Sequence, residues 1–235
     1  MDWKNLIADT AARLTVHYTP GRDGHPIVAT VVHHNGGDFT TAQVRDIWID
    51  REASAHYQVE SSGRVGQIVD DCDTAWHCGN WEWNQKTIGV EVANVGGPDG
   101  PVTPQALEAA GHLIAAIHVY YGLGEPQWMV NCFPHRNFTS TGCPGTLAEE
   151  QNGTLMSKAR GWYRAMTGQP LGAQAQVQAV IPPESETDMQ MDNSTAEWLR
   201  QVLFIQPRVP NSDKTIAQLL VDIDARLKAL EEKLK

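Results

Sequence analysis

The sequence predicts an α/β fold: a single mixed β-sheet with helices on both faces, followed by a flexible linker and a C-terminal helical tail. Short runs rich in β-branched residues, such as residues 27–32, are typical of strands buried on both faces. Between these runs, apolar residues recur every three or four positions, as in helices that pack on a sheet. A change of composition after residue 167 predicts that the sheet domain ends there.

Each predicted element has a local signal. Thr40 or Thr41 provides an N-cap for the first helix, and Gly63 provides the turn of a hairpin. Pro104 stands in the first turn of the longest helix, where proline is favoured. In order, the predicted elements are a strand over 27–32, a helix over 40–54, a hairpin over 56–69, a strand over 87–93, a helix over 104–121, a short strand over 128–132 and a helix over 147–166.

The last third of the chain divides into two segments. Residues 168–194 are rich in Gln, Ala, Pro and acidic residues without a period, which is a linker composition. Residues 195–235 form a predicted helical segment, with an apolar stripe over 211–235. That stripe spans under three heptads, which is short for a coiled coil. The segment therefore either docks on its own domain or forms a homo-oligomer.

Composition excludes several classes of partner. The 235 residues carry 18 basic and 28 acidic side chains, a net charge of −10, which disfavours nucleic acid and anionic lipid. No apolar run is long enough to cross a membrane, so we expect no membrane insertion. The N-terminus lacks the pattern of a signal peptide, so we expect synthesis in the cytoplasm without an export signal.

Three places carry candidate chemistry. His33 and His34 lie where a buried strand ends, and strand alternation lets one of them face a given site. His135 and Cys143 flank a loop, and zinc favours imidazole and thiolate ligands. Glu91 interrupts an apolar strand, where burying a carboxylate is unfavourable without a partner. Beside a zinc-bound water it would serve as a base, and otherwise it is an exposed residue of an edge strand.

Five segments occur in a fixed order along the chain: Val31-Val-His-His-Asn, Ala53-Ser-Ala-His-Tyr-Gln-Val with the following Ser-Ser-Gly, Ala75-Trp-His-Cys-Gly-Asn80, Thr87-Ile-Gly-Val-Glu91 and His135-x7-Cys143-Pro-Gly. This ordered set resembles the type 2 N-acetylmuramoyl-L-alanine amidases, a family that includes phage endolysins and peptidoglycan recognition proteins. The likeness covers about residues 5–165. It implies one Zn²⁺ per chain and hydrolysis of the amide bond between N-acetylmuramic acid and L-alanine in peptidoglycan.

The resemblance also implies roles for individual residues. The zinc ligands of the family match His33, His135 and Cys143, and its general base matches Glu91. Thr141 stands where relatives carry a residue that contacts the substrate carbonyl or the oxyanion. Other relatives use a tyrosine where this chain has Ala55, so that role is vacant here. The residues expected in the substrate groove are Trp76, His77, Asn80 and, as a supporting or structural residue, His34.

The other cysteines match no ligand position of the family. We expect Cys72, Cys78 and Cys132 to stay reduced in the cytoplasm, with a Cys72–Cys78 disulfide after release as the alternative.

The expected function is that of a phage endolysin, which reaches the host wall through holes made by a holin. In such an enzyme the C-terminal segment, 195–235, would bind the cell wall or self-associate. The alternatives are a cytoplasmic amidase that recycles soluble muropeptides, and a module that binds peptidoglycan without cleaving it.

Overall fold

The computed structural model describes residues 1–169. The predicted linker from residue 170 onward and the predicted C-terminal helical segment, 195–235, lie outside the described residues. Within residues 1–169, none of the helices has the length and apolar character needed to cross a membrane.

Eight strands and four α-helices make up the described domain. The strands are β1 (Thr10–Ala11), β2 (Tyr18–Thr19), β3 (Ala29–His34), β4 (Tyr57–Val59), β5 (Val65–Gln67), β6 (Thr74–Ala75), β7 (Thr87–Val92) and β8 (Cys132–Pro134). The helices are α1 (Thr41–Asp50), α2 (Trp81–Lys86), α3 (Pro104–Tyr120) and α4 (Asn152–Thr167).

Six of the strands form the main sheet, in the order β1-β5-β4-β7-β3-β8. The pair β4–β5 is antiparallel, whereas β1–β5, β4–β7, β7–β3 and β3–β8 are parallel. The predicted mixed sheet is therefore confirmed. Strands β2 and β6 form a separate antiparallel ribbon that the sequence did not predict, since each has only two residues.

Alternation along the strands divides the sheet into two faces. On one face, Val32 of β3 and Val90 of β7 join a core that includes residues of α3 and α4. On the other face, Gly66 of β5 lies directly beneath Thr41 of α1, at a distance that leaves no room for a Cβ atom. Helices therefore cover both faces, as predicted, and the second face also carries the candidate site.

The helix starts follow the sequence signals. The Thr40 side chain accepts a hydrogen bond from the Gln43 backbone, and the Gln43 side chain bonds back to the Thr40 backbone, which completes a capping box. Thr103 caps α3, and Pro104 occupies its first turn.

Two predicted elements near the C-terminal end of the domain are displaced. The short strand expected over residues 128–132 is instead β8, and Trp128 makes only an isolated bridge to Cys132. The last helix begins at Asn152 rather than at residue 147, because Gly145–Ala148 form a separate 3-10 helix. Both errors arise where apolar residues belong to a tight turn rather than to a continuous element. Helix α2 was not predicted at all.

Candidate metal centre and hydrolytic site

The site begins where β3 and β7 run side by side. These parallel strands pair His33 with Glu91, and β4 places Gln58 opposite Glu91 on the other side. Because Val32 and Val90 point into the core, the alternation directs His33 and Glu91 to the opposite face. Sheet register thus brings together two residues that are far apart in the sequence.

The loop after β8 adds two further side chains. His135 lies in a short 3-10 helix, His135–Asn137, and Cys143 follows in the same loop. One ligand atom from each of His33, His135 and Cys143 lies within 4.8 Å of the other two. The Cys143 Sγ atom is 3.8 Å from Nδ1 of His33 and accepts a hydrogen bond from the His34 backbone at 3.4 Å.

Two imidazoles and one thiol form a donor set that suits zinc, with a further coordination position left for water. Burial lowers the pKa of His33 well below its ordinary value, and it lowers the pKa of His135 to about 4. Burial and the nearby Glu91 charge raise the pKa of the Cys143 thiol. Burial therefore favours the uncharged form of each of these side chains, and a cation that draws the proton from the thiol fits them.

Glu91 lies beside this cluster in a network of amides. Its Oε2 atom accepts a hydrogen bond from the Asn35 amide at 2.9 Å. Asn35 and Gln58 also exchange hydrogen bonds of 3.0 and 2.6 Å, which fixes the orientation of both amides. Burial raises the pKa of Glu91 to about 7, against the opposing effects of the Asn35 hydrogen bond and the positive charge of Arg51. A carboxyl with this pKa can both take and release a proton near neutral pH.

A pocket of about 410 Å³ opens in front of these residues. It contains eight of the nine predicted site residues: His33, His34, Trp76, His77, Glu91, His135, Thr141 and Cys143. One wall is apolar and is formed by Val44, Ile47 and Trp48 of α1 together with Phe39, which lies two residues before that helix. Among the lining residues that the structure describes, Arg51 is the only lysine or arginine.

Asn80 is not among the residues that line this pocket. Its side chain accepts a hydrogen bond from the Trp83 backbone at 3.2 Å and caps α2. The pattern Asn-Trp-Glu-Trp over residues 80–83 is a helix-start signal that could have predicted this position.

Three of the predicted residues have defined contacts at the pocket wall. The Thr141 hydroxyl oxygen accepts a hydrogen bond from the Cys143 backbone at 3.2 Å, so its proton is available to another group. The Trp76 indole N–H donates to the Thr19 hydroxyl at 3.0 Å, which fixes the plane of its ring. Nδ1 of His34 accepts from the Gly36 backbone at 3.1 Å.

Sequence reasoning missed Asn35, Gln58 and Arg51. Asn35 directly follows the histidine pair, and Gln58 lies between the buried Tyr57 and Val59. A polar residue within a buried strand needs a hydrogen-bond partner, and this was the signal that could have identified Gln58.

All four cysteines, which fall within the described residues, are free, and Cys72 is exposed whereas Cys78 and Cys132 are buried.

A family model described as N-acetylmuramoyl-L-alanine amidase matches residues 12–146, more than half of the chain. The chain belongs to this amidase family. The match includes His33, Glu91, His135 and Cys143, and it confirms the resemblance derived from the ordered motifs. A comparison with curated protein sequences gives no match.

Several solved structures share the fold of this chain. The structure of PlyL shares 19% identity, covers 66% of this chain and 99% of its own, and has a TM-score of 0.55. The hydrolase AmiA of Staphylococcus aureus, in complex with its ligand, shares 18% identity over 70% of this chain and 88% of its own, with a TM-score of 0.56. A mutant endolysin from Bacillus subtilis shares 18% identity over 65% and 99%, with a TM-score of 0.51. At these identities the likeness is one of fold.

Proposed function

We propose that this amidase hydrolyses the amide bond between N-acetylmuramic acid and L-alanine in peptidoglycan, with one zinc ion per chain held by His33, His135 and Cys143. The observation that carries the proposal is the convergence of three nitrogen and sulfur donors within 4.8 Å, in the same pocket as Glu91. When bound, the ion supplies a Lewis acid that polarises the amide carbonyl and lowers the pKa of water.

Glu91 is the proposed general base and acid. Its carboxylate takes a proton from the attacking water and returns it to the nitrogen of L-alanine as the amide bond breaks. Asn35 holds the carboxylate through the 2.9 Å hydrogen bond, and Gln58 holds Asn35. This arrangement keeps Glu91 directed at the pocket in both protonation states.

Thr141 is the proposed donor to the oxyanion. Because its oxygen already accepts from the Cys143 backbone, its proton can be donated to the negative charge that develops on the carbonyl oxygen. A hydroxyl is a weaker donor than an ammonium group, so Thr141 contributes less than a lysine would at the same place.

The pocket walls suit a glycopeptide. We propose that Trp76, Phe39 and the α1 side chain Trp48 contact apolar faces of the substrate. His34 lies at the same pocket. Arg51 is placed to bind a carboxylate of the stem peptide, since it is a cation beside the base.

The finer proposal is that the chain acts as a phage endolysin, made in the host cytoplasm and released to the wall through a holin. It is supported by the linker composition of residues 168–194 and by the apolar stripe of 211–235. A second attachment point joined by a linker increases the avidity of an enzyme for an insoluble substrate. Activity on soluble muropeptides alone would favour the recycling amidase instead. Binding to sacculi without cleavage would favour the recognition module.

The test combines elemental analysis with digestion of purified sacculi, with and without a chelator. We expect about one zinc per chain, clearing of the suspension, and new amino termini on L-alanine without new reducing sugars. Chelation abolishes clearing, and added zinc restores it. Cys143→Ser loses both zinc and activity, whereas Cys72→Ser, which changes an exposed thiol, retains them. Full activity in metal-free protein would refute the proposal.

A further inference from the structure

A chain of three hydrogen bonds runs from the metal cluster into the protein interior. Nε2 of His33 is 3.1 Å from Nδ1 of His77, and Nε2 of His77 is 3.2 Å from the Thr87 hydroxyl. The Thr87 hydroxyl in turn donates to the Trp83 carbonyl at 2.5 Å. His33, His77 and Thr87 are 1%, 6% and 0% exposed, so water does not compete for these groups.

The inner end of this hydrogen-bond chain determines which atom is the donor in each of its bonds. The Trp83 carbonyl lies in the last turn of α2 and can only accept. The single Thr87 proton is therefore used in that bond, and the Thr87 oxygen must accept from Nε2–H of His77. Neutral His77 then has a lone pair on Nδ1, which accepts from Nε2–H of His33. This leaves the lone pair of His33 on Nδ1, the atom that faces Cys143.

The outer end of the hydrogen-bond chain, at the metal cluster, independently requires the same proton positions. A histidine binds a metal through an unprotonated ring nitrogen, and Nδ1 is the His33 nitrogen that lies 3.8 Å from the Cys143 sulfur. Its proton must then be on Nε2, which needs an acceptor at His77. The two ends therefore agree on one tautomer for each ring.

Gly89 explains how the His77 ring is held in this position. A Cβ atom at Gly89 would lie 2.7 Å from Cγ and 3.0 Å from Nδ1 of His77, so the ring packs directly against the bare backbone of β7. The backbone of β7 thus limits movement of the ring on the side of Gly89.

We propose that His77 and Thr87 are positioning residues that set the tautomer and orientation of His33, and that His77 does so from behind the ligand rather than as a substrate contact. This inference rests on the proposed zinc site. A hydrogen-bond partner of a metal ligand raises metal affinity by about 10–100-fold in comparable sites. We expect an effect of that size here.

The test uses Thr87→Val and Thr87→Ser in the full chain. Valine keeps the shape but removes the hydroxyl, so His77 either leaves Nε2–H without an acceptor or moves its proton to Nδ1, against His33. We expect Thr87→Val to raise the Kd for zinc, measured by competition with a chromogenic chelator, by about 10–100-fold. Thr87→Ser keeps the hydroxyl and should keep wild-type affinity. Activity of Thr87→Val should recover in excess zinc, which separates metal loss from a damaged catalytic step.

Thr30→Val is the matched control. Thr30 is also buried on a central strand, and its hydroxyl is 3.3 Å from Nε2 of His118, away from the metal cluster. Removing that hydroxyl should leave zinc affinity unchanged. If Thr87→Val binds zinc as tightly as the wild-type protein, the proposed role of the hydrogen-bond chain is wrong. It is also wrong if Thr87→Val and Thr30→Val weaken zinc binding equally.

A second measurement does not depend on folding of the variants or on zinc. Long-range ¹H–¹⁵N spectra of the metal-free wild-type protein report the tautomer of each histidine. We expect the Nε2–H tautomer for both His33 and His77, and an Nδ1–H tautomer in either would overturn the inference. If the wild-type protein binds no zinc, the proposed function is wrong. These spectra would still decide whether the hydrogen-bond chain has the proposed proton positions.

Discussion

Replacing Glu91 by glutamine separates the catalytic role of this residue from its effect on stability. Glutamine has nearly the same shape and retains an oxygen that accepts from the Asn35 amide, but it cannot take a proton. We expect turnover to fall by about 10²–10⁴-fold, the usual contribution of a general base. Zinc content should remain at the wild-type level, because Glu91 is not one of the three donors.

The same substitution should stabilise the metal-free protein. Burial raises the pKa of Glu91 from 4.5 to about 7, so ionising it in the folded state is unfavourable by about 3 kcal/mol. The side chain is partly exposed to the pocket, and screening by that water reduces the effect to about 1–2 kcal/mol. Since the folded-state pKa lies above the unfolded one, the penalty is absent below pH 4.5 and complete above about pH 7.

The assay is thermal unfolding of metal-free wild-type and Glu91→Gln protein on either side of this pH range, together with digestion of sacculi by the zinc-loaded forms. A gain of 1 kcal/mol should raise Tm by about 2–4 °C in a domain of this size. The matched control is Glu52→Gln, which removes the same charge at an exposed site that does not line the pocket. Near-normal turnover in Glu91→Gln would remove Glu91 from the mechanism, and an equal Tm above pH 7 would refute the burial argument.

Three further predictions address other parts of the domain. Arg51→Gln should raise KM on peptide-bearing substrate more than it lowers kcat, as measured on soluble muropeptides with and without the stem-peptide carboxylates. Asp71 accepts hydrogen bonds from Tyr57 and Tyr121, and burial raises its pKa. The contribution of Asp71 to stability therefore falls as the pH rises above 3.8, the ordinary pKa of an aspartate. In Asp71→Asn, the free energy of unfolding measured in urea should no longer show this fall with pH. Gly66→Ala should lower the free energy of unfolding by about 1–3 kcal/mol, because its Cβ would overlap Thr41.

The parts of the fold that could be predicted are those in which one residue type repeats along a continuous element. The β-branched run before His33 becomes β3, and the helical stripe that opens at Pro104 becomes α3, with the proline in its first turn as expected. Burial on one or both faces imposes such a pattern regardless of what lies elsewhere in the chain.

The elements that were missed depend on contacts rather than on pattern. Strands β2 and β6 have two residues each, too few to show alternation, and they exist because they pair with one another. Helix α2 has six residues, of which two are tryptophans, and the cap at Asn80 is its main sequence signal. The 3-10 helix Gly145–Ala148 contains a buried Leu147 that helical spacing alone assigns to α4.

The candidate site shows the same division at the level of single side chains. Alternation along β3 and β7 places His33 and Glu91 on one face, so their meeting follows from the sequence once the strands are adjacent. His77 could not be assigned in this way, since it lies outside any regular strand and its ring is defined by Thr87 and by the missing side chain of Gly89. A histidine motif in sequence identifies imidazoles near a metal, but which ring binds the ion and which orients its neighbour is determined by hydrogen-bond acceptors. Those acceptors come from the backbone and from small side chains that carry no recognisable motif.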